Sequence, residues 1–151
     1  MQPDLQVSIR PAAKNDLPAI HRLVRELAIY EKAEPEFRAD LATYQTNFEQ
    51  GVFQAHVAEY EGEVIGMALY YLTFSTWKGR MLYLEDFVVQ EAYQRRGIGQ
   101  LLFDAYLQTA REMGCALAKW QVLDWNQLAI NFYEKNQAEI ERQWFNGKIV
   151  F

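Results

Sequence analysis

Cysteine is nearly missing from this chain: Cys115 is the single one in 151 residues. No disulfide framework and no cysteine-rich metal site can be built from it. Two histidines, His21 and His56, leave little material for a zinc centre. No apolar run approaches the roughly 20 residues that cross a bilayer. The opening MQPDLQVSIRP has no basic stretch followed by an apolar one, so no signal peptide is expected. Positive charge is in deficit, with 15 Lys and Arg against 20 Asp and Glu, net −5. That balance lacks the broad positive field that nucleic acid or anionic lipid requires. The expectation is a soluble, cytoplasmic protein with no metal, no nucleic-acid partner and no membrane partner.

Hydrophobic residues make up 50% of the chain and aromatic residues 15%. Such a composition supports a packed core, and the length suits one domain, residues 1–151. No linker, repeat or low-complexity segment interrupts it. Val7–Arg10 reads as a short strand closed by Pro11. Asn15 or Asp16 can cap a helix in which Leu17, Ile20, Leu23, Val24 and Leu27 recur at helical spacing as far as Tyr30. An acidic loop over Glu31–Asp40 leads to a short helix from Asp40 to Phe48. Phe53–Tyr60 and Glu63–Thr73 flank Glu61–Gly62 as a tight hairpin, and Met81–Val89 follows as a third antiparallel strand. A helix begins after Gly97 and ends at Gly114. Ala116–Leu123 reads as a buried strand. Asn126 caps a helix over Gln127–Lys135. Asn146–Gly147 between Ile140–Phe145 and Lys148–Phe151 signals a terminal hairpin. The order β-α-α-β-β-β-α-β-α-β-β predicts an α/β (α+β) fold. Its sheet is mixed, mostly antiparallel, of about seven strands, with helices on both faces.

The most informative stretch is Leu82–Leu102, LYLEDFVVQEAYQRRGIGQLL. A strand leads through a short loop into Gln94, Arg95, Arg96, Gly97, Ile98, Gly99 and Gln100, and then a helix. Glycines at 97 and 99 let the backbone approach a ligand closely. The N–H groups of a helix start are unpaired donors with the positive end of the dipole behind them. Two arginines add charge, and a pyrophosphate suits that description. Taken alone, a GxG turn is more simply a plain strand-to-helix connection with two solvated arginines; the place of these glycines directly between a strong strand and a strong helix favours the anion site. A P-loop is excluded because no GK[ST] follows, and Leu102 stands where a dinucleotide fingerprint needs its third glycine.

Gln94-x-x-Gly97-x-Gly99 after a strand resembles the acetyl-CoA signature of the GNAT N-acetyltransferase superfamily. Tyr30-Glu31, Ser75 to Arg80, Tyr83 to Asp86, Val122 to Gln127 and Asn131 to Tyr133 together resemble its diamine (spermidine/spermine) acetyltransferase group. They are most similar to the thialysine acetyltransferase branch. The likeness spans about Ile9 to Trp144.

That resemblance implies acetyl transfer from acetyl-CoA to a primary amine of a small molecule, a lysine-like amino acid or a diamine. Glu85 would act as base through water, and Tyr133 would donate a proton to the departing thiolate, as a phenol of pKa about 10 can. Strand alternation turns Asp86 to the opposite face from Glu85, toward a structural role. Phe87, Val88 and Val89 would hold the pantetheine arm on a strand that splays from its neighbour. The loop 94–100 would hold the pyrophosphate, and Asn126, Gln127, Leu128 and Ala129 would also touch the coenzyme. Tyr30, Glu31, Trp77, Glu85, Lys119, Trp120 and Gln121 would surround the amine.

Three departures from the group's pattern stand out. Ser75 replaces an acid of the polyamine-acetylating members, and Arg142-Gln143 replaces a glutamate near Trp144. Both losses argue against a long polycation such as spermine. Gln137 stands where a glycine is usual after the last helix, which predicts a locally altered turn. No cysteine is placed to carry an acetyl group, so direct transfer is expected. The resemblance also implies a homodimer. Two other readings use the same fold: a non-catalytic acyl-CoA-binding module, which the pairing of Glu85 with Tyr133 opposes, and acetylation of protein amines, which predicts an open peptide groove.

Overall fold

The computed structural model describes residues 5–151. Its contacts divide the chain into two compact units, residues 1–121 and 122–151.

The first unit is built on a five-stranded sheet in the order β1-β2-β3-β4-β5. Its strands are β1 (Ser8–Pro11), β2 (Gln54–Tyr60), β3 (Glu63–Ser75), β4 (Gly79–Val89) and β5 (Leu117–Trp120). The first four pair antiparallel, and β5 joins β4 in parallel. Helix α1 (Leu17–Tyr30) lays Leu17, Ile20, Leu23 and Val24 on one face, against Ala55, Val57, Met67 and Leu69 of the sheet. Those four residues recur at i, i+3, i+6 and i+7, the stripe a helix buries. Helix α2 (Leu41–Glu49) adds Leu41, Tyr44 and Phe48 to the same side. It starts where Asp40 accepts hydrogen bonds from the Thr43 N–H at 2.9 Å and the Thr43 hydroxyl at 2.7 Å. Helix α3 (Ile98–Glu112) covers the other face. There Tyr106 donates to the Leu82 carbonyl at 2.6 Å, and its ring lies 5.8 Å from that of Tyr70. Helices on both faces of a mixed sheet are therefore present, with five strands among the described residues in place of about seven.

Asp16 stands at the start of α1 but does not cap it through its side chain. Its carboxylate instead takes two hydrogen bonds from Arg10, at 2.7 and 3.0 Å, and one from the Ala13 N–H. The Arg10 guanidinium holds this buried carboxyl below the usual range. Glu61 and Gly62 both take positive φ, as a two-residue hairpin turn requires.

The second unit contains α4 (Gln127–Lys135). The Asn126 side chain caps it by accepting from the Ala129 N–H at 3.3 Å. At its other end Gln137 takes φ +62°, the left-handed position. The Gln137 N–H reaches the Glu134 carbonyl and the Ala138 N–H reaches the Tyr133 carbonyl. That is a complete Schellman closure. The turn is thus the ordinary one, adopted by glutamine at a cost of about 1 kcal/mol relative to glycine.

The expected terminal hairpin over Ile140–Phe151 does not form; these residues pair with no strand. An Asn-Gly turn favours a hairpin locally, but an isolated two-stranded ribbon is marginal without a face to bury. Here Phe145, Ile149 and Phe151 are 98%, 85% and 110% exposed.

Candidate active site

The site begins with a fault in strand register. Along β3 and β4, Tyr70 pairs with Leu84, but the next pair is Leu69 with Asp86. Glu85 is the extra residue, so β4 carries a β-bulge there. Residues directly opposite each other in an antiparallel pair share a face. Leu84 therefore lies with Tyr70 on the α3 side, and Asp86 lies with Leu69 on the α1 side. Two residues on, Val88 packs against the α1 cluster, while Phe87 sets its ring 5.9 Å from Phe103 of α3. The alternation that would turn Asp86 away from Glu85 is broken between them.

The two carboxylates consequently line one cavity of about 380 Å³, together with Thr43, Tyr44, Asn47, Val52, Phe53, Leu69 and Tyr71. None of these lining residues is basic. Glu85 is exposed and accepts a hydrogen bond from the Tyr71 hydroxyl at 2.9 Å. Tyr71 is held in turn by stacking on Tyr83, ring centres 5.4 Å apart. Burial pushes the Asp86 carboxyl up to about 7, and the charges of Glu85 and Glu31 push the same way. Burial also raises Glu31, which caps the end of α1. The same acidity lifts Tyr44, whose phenol rises to about 12 through burial and then through Asp86 and Glu85. An anionic, aromatic-lined cavity of this kind suits an ammonium group.

Beyond the bulge β4 outruns β5. Ladder pairing between β4 and β5 covers only Met81–Leu84 with Leu117–Trp120. β4 continues to Val89 beside β3 alone, so Glu85, Asp86, Phe87, Val88 and Val89 run where β5 has ended. β4 then leads through a 3-10 turn (Glu91–Tyr93) to Gly97, which sits at φ +81° as the residue before α3. Arg95 also takes positive φ, at 64°. Left-handed residues alternating along such a loop turn successive N–H groups inward, as an anion nest does, at the positive end of a fifteen-residue helix. The Gln94 side chain donates back to the Val89 carbonyl at 2.9 Å and fixes the loop's start. Arg95, Arg96 and Gly97 are exposed, whereas Ile98 is buried as the anchor of the first turn. Gln100 reaches along the helix to Asp104. A Cβ at Gly99 would lie 3.6 Å from Phe87, an ordinary contact. Packing within the protein therefore does not demand glycine at 99. The loop fits the pyrophosphate of a coenzyme.

The other expected site residues are distributed less uniformly. Trp77 is 86% exposed and Tyr30 52%, and neither lines the cavity. Trp120 stands edge-on to Phe103, on the α3 side, whereas Lys119 pairs with Tyr83 and shares its side. Gln121 is exposed. Arg80 gives its guanidinium to the Met113 carbonyl at the end of α3. In the second unit Asn126 caps α4, Gln127 and Leu128 are exposed, Ala129 is half-buried, and Tyr133 is buried. Asp86, Tyr44 and Tyr71 are the functional candidates that sequence reasoning misses. The only trace of them in the chain is the adjacent acidic pair at 85 and 86.

No group of three or more metal-ligating side chains is placed to hold a metal among the described residues. No helix among them is long and apolar enough to cross a membrane.

The acetyltransferase (GNAT) family profile matches residues 17–138. Thialysine N-epsilon-acetyltransferase of Bos taurus is 37% identical over 143 residues, covering 88% of this chain and 84% of its own. Spermidine/spermine N(1)-acetyltransferase-like protein 1 of Homo sapiens is 36% identical over 141 residues, covering 86% of this chain and 20% of its own. Among solved structures, aminoglycoside N-acetyltransferase AAC(6')-Iy in complex with CoA superposes with a TM-score of 0.78 at 17% identity, covering 98% of both chains. The chain belongs to the acetyltransferase (GNAT) family and is an acetyltransferase.

Proposed function

We propose that residues 1–151 work as one enzyme domain that moves an acetyl group from acetyl-CoA to the primary amine of a lysine-like amino acid or a short diamine, by direct transfer. The observation that carries this reading is the acidic cavity at the β4 bulge, placed where β5 stops pairing and β4 runs on to the Gly97 helix start. An ammonium drawn to Glu85 and Glu31 would meet a thioester held along 87–89, with its pyrophosphate on 94–100. Attack needs the amine neutral, and Glu85 takes its proton through water. Tyr133 supplies a proton to the leaving thiolate, and Asn126 to Ala129 help to hold the coenzyme. The thialysine name of the bovine relative supports the substrate class.

A panel of amines with acetyl-CoA tests the proposal. Lysine analogues and short diamines should turn over at least tenfold faster than spermine, measured by release of free thiol. A preference for spermine would overturn the reading of Ser75 and Arg142. Failure of every amine despite tight CoA binding would favour the non-catalytic module.

The same proposal includes a cytoplasmic homodimer. Exposed Trp144, Phe145, Ile149, Val150 and Phe151 support the dimer, because five large apolar side chains left in water favour association. Sedimentation equilibrium should give twice the chain mass, and a monomer at micromolar concentration would remove this part of the reading.

A further inference from the structure

The carboxylate carried beside Glu85 has no part in the reading above, yet the bulge brings it into the same cavity. Glu85 is the exposed member and is tied to the Tyr71 hydroxyl. Asp86 is the deeper one, opposite Leu69 and at the edge of the α1 core. The titratable or charged groups facing it are Glu31 from the end of α1, Tyr44 from α2, Tyr71 from β3 and Glu85 from β4. All are acids. With no lining cation, burial and then the charges of Glu85 and Glu31 disfavour ionisation of Asp86.

We propose that Asp86 and Glu85 divide the work at the amine: Glu85 holds the incoming ammonium, and Asp86 accepts its proton, directly or through one water. This moves the proton-accepting step of the acetyl-transfer reading from Glu85 to Asp86 and otherwise rests on that reading. An ammonium must shed two protons to become an amide. The first passes to the Asp86 carboxylate, leaving the nitrogen lone pair free to attack the thioester carbonyl. The C–N bond forms, the C–S bond breaks, and the second nitrogen proton replaces the one that the leaving sulfur takes. Asp86 then returns its proton to solvent. Chemical matching favours Asp86 for the first step. An alkylammonium has a pKa of about 10, and a carboxyl at its ordinary value of about 4 is a poor acceptor for its proton. Asp86, raised to about 7, is a better one.

The experiment compares pH profiles of kcat/KM for the wild-type, Asp86→Asn and Glu85→Gln proteins with acetyl-CoA in excess, with CoA binding followed by calorimetry. Asp86→Asn should bind CoA normally, lose about 10²-fold or more in kcat, and lose the rising limb near pH 7. Glu85→Gln should raise the KM for the amine and keep the limb, displaced to lower pH because a like charge has gone. An Asp86→Asn enzyme within threefold of wild type with its limb intact would overturn the proposal, as would a limb abolished only by Glu85→Gln. If wild type acetylates no amine, the acetyl-transfer reading fails instead. A carbon-13 NMR titration still judges the assignment in that case: an Asp86 carboxyl titrating near 4 overturns it, and one near 7 that drops in Glu85→Gln upholds a raised Asp86 pushed by its neighbour's charge.

Discussion

Tyr133→Phe is expected to lower kcat by about 10²–10⁴-fold, the usual worth of a positioned general acid, while CoA affinity stays within twofold. The substitution removes one oxygen and leaves the ring in its buried position on α4. Phe132 packs edge-on to that ring at 5.6 Å and keeps its contact. The loss is therefore chemical in origin, equivalent to about 3–5 kcal/mol of transition-state stabilisation. A thiolate leaving inside a site of low dielectric is costly as an anion, and a phenol of pKa about 10 relieves it by donating its proton. The leaving group separates this role from a structural one. An acetyl thioester of a more acidic thiol needs less protonation, so the gap between wild type and Tyr133→Phe should narrow with it. A gap that stays constant across thiols would remove Tyr133 from the proton path, and turnover within threefold of wild type would do so more simply.

How far the chain could be read without coordinates depended on whether each feature is local. Both ends of α4 were legible, because Asn126 is a side-chain cap and periodicity marks the rest. The Glu61–Gly62 turn and the Gly97 helix start were legible for the same reason. Features that belong to two strands at once were not. The bulge at Glu85 is a mismatch between β3 and β4, and nothing within LYLED announces which residue is the extra one. That mismatch decides the face of Asp86, so the buried half of the carboxylate pair was invisible to strand alternation. β5 shrank from Ala116–Leu123 to Leu117–Trp120 because strand extent depends on the partner's course, and β4 is bulged just where pairing stops. The Asn146–Gly147 turn shows the converse. Its local signal is strong, but the flanking residues bury no face that would hold a ribbon together.

The carboxylate pair also has a measurable effect on the stability of the protein without substrate. Asp86 rises from an unfolded value near 3.8 to about 7 in the folded chain, pushed first by burial and then by Glu85 and Glu31. Between those two pH values the folded state binds the proton more tightly than the unfolded state does. Stability must therefore fall as pH rises through this window, and the full penalty is present above the folded pKa. Asp86→Asn replaces a carboxyl that prefers to be neutral with a neutral group of nearly the same shape. The variant should match wild type near pH 4 and gain on it steadily up to pH 8. A shift of this size sets an upper limit of about 4 kcal/mol, and partial access of water from the cavity mouth brings the expectation to about 2–4 kcal/mol. Urea unfolding at pH 5, 6.5 and 8 measures the trend. A variant less stable than wild type at pH 8, or a difference that does not vary with pH, would show that Asp86 is ionised at no cost. A gain in stability together with the loss of turnover would mean that the fold tolerates an unfavourable charge at this position for the sake of the reaction.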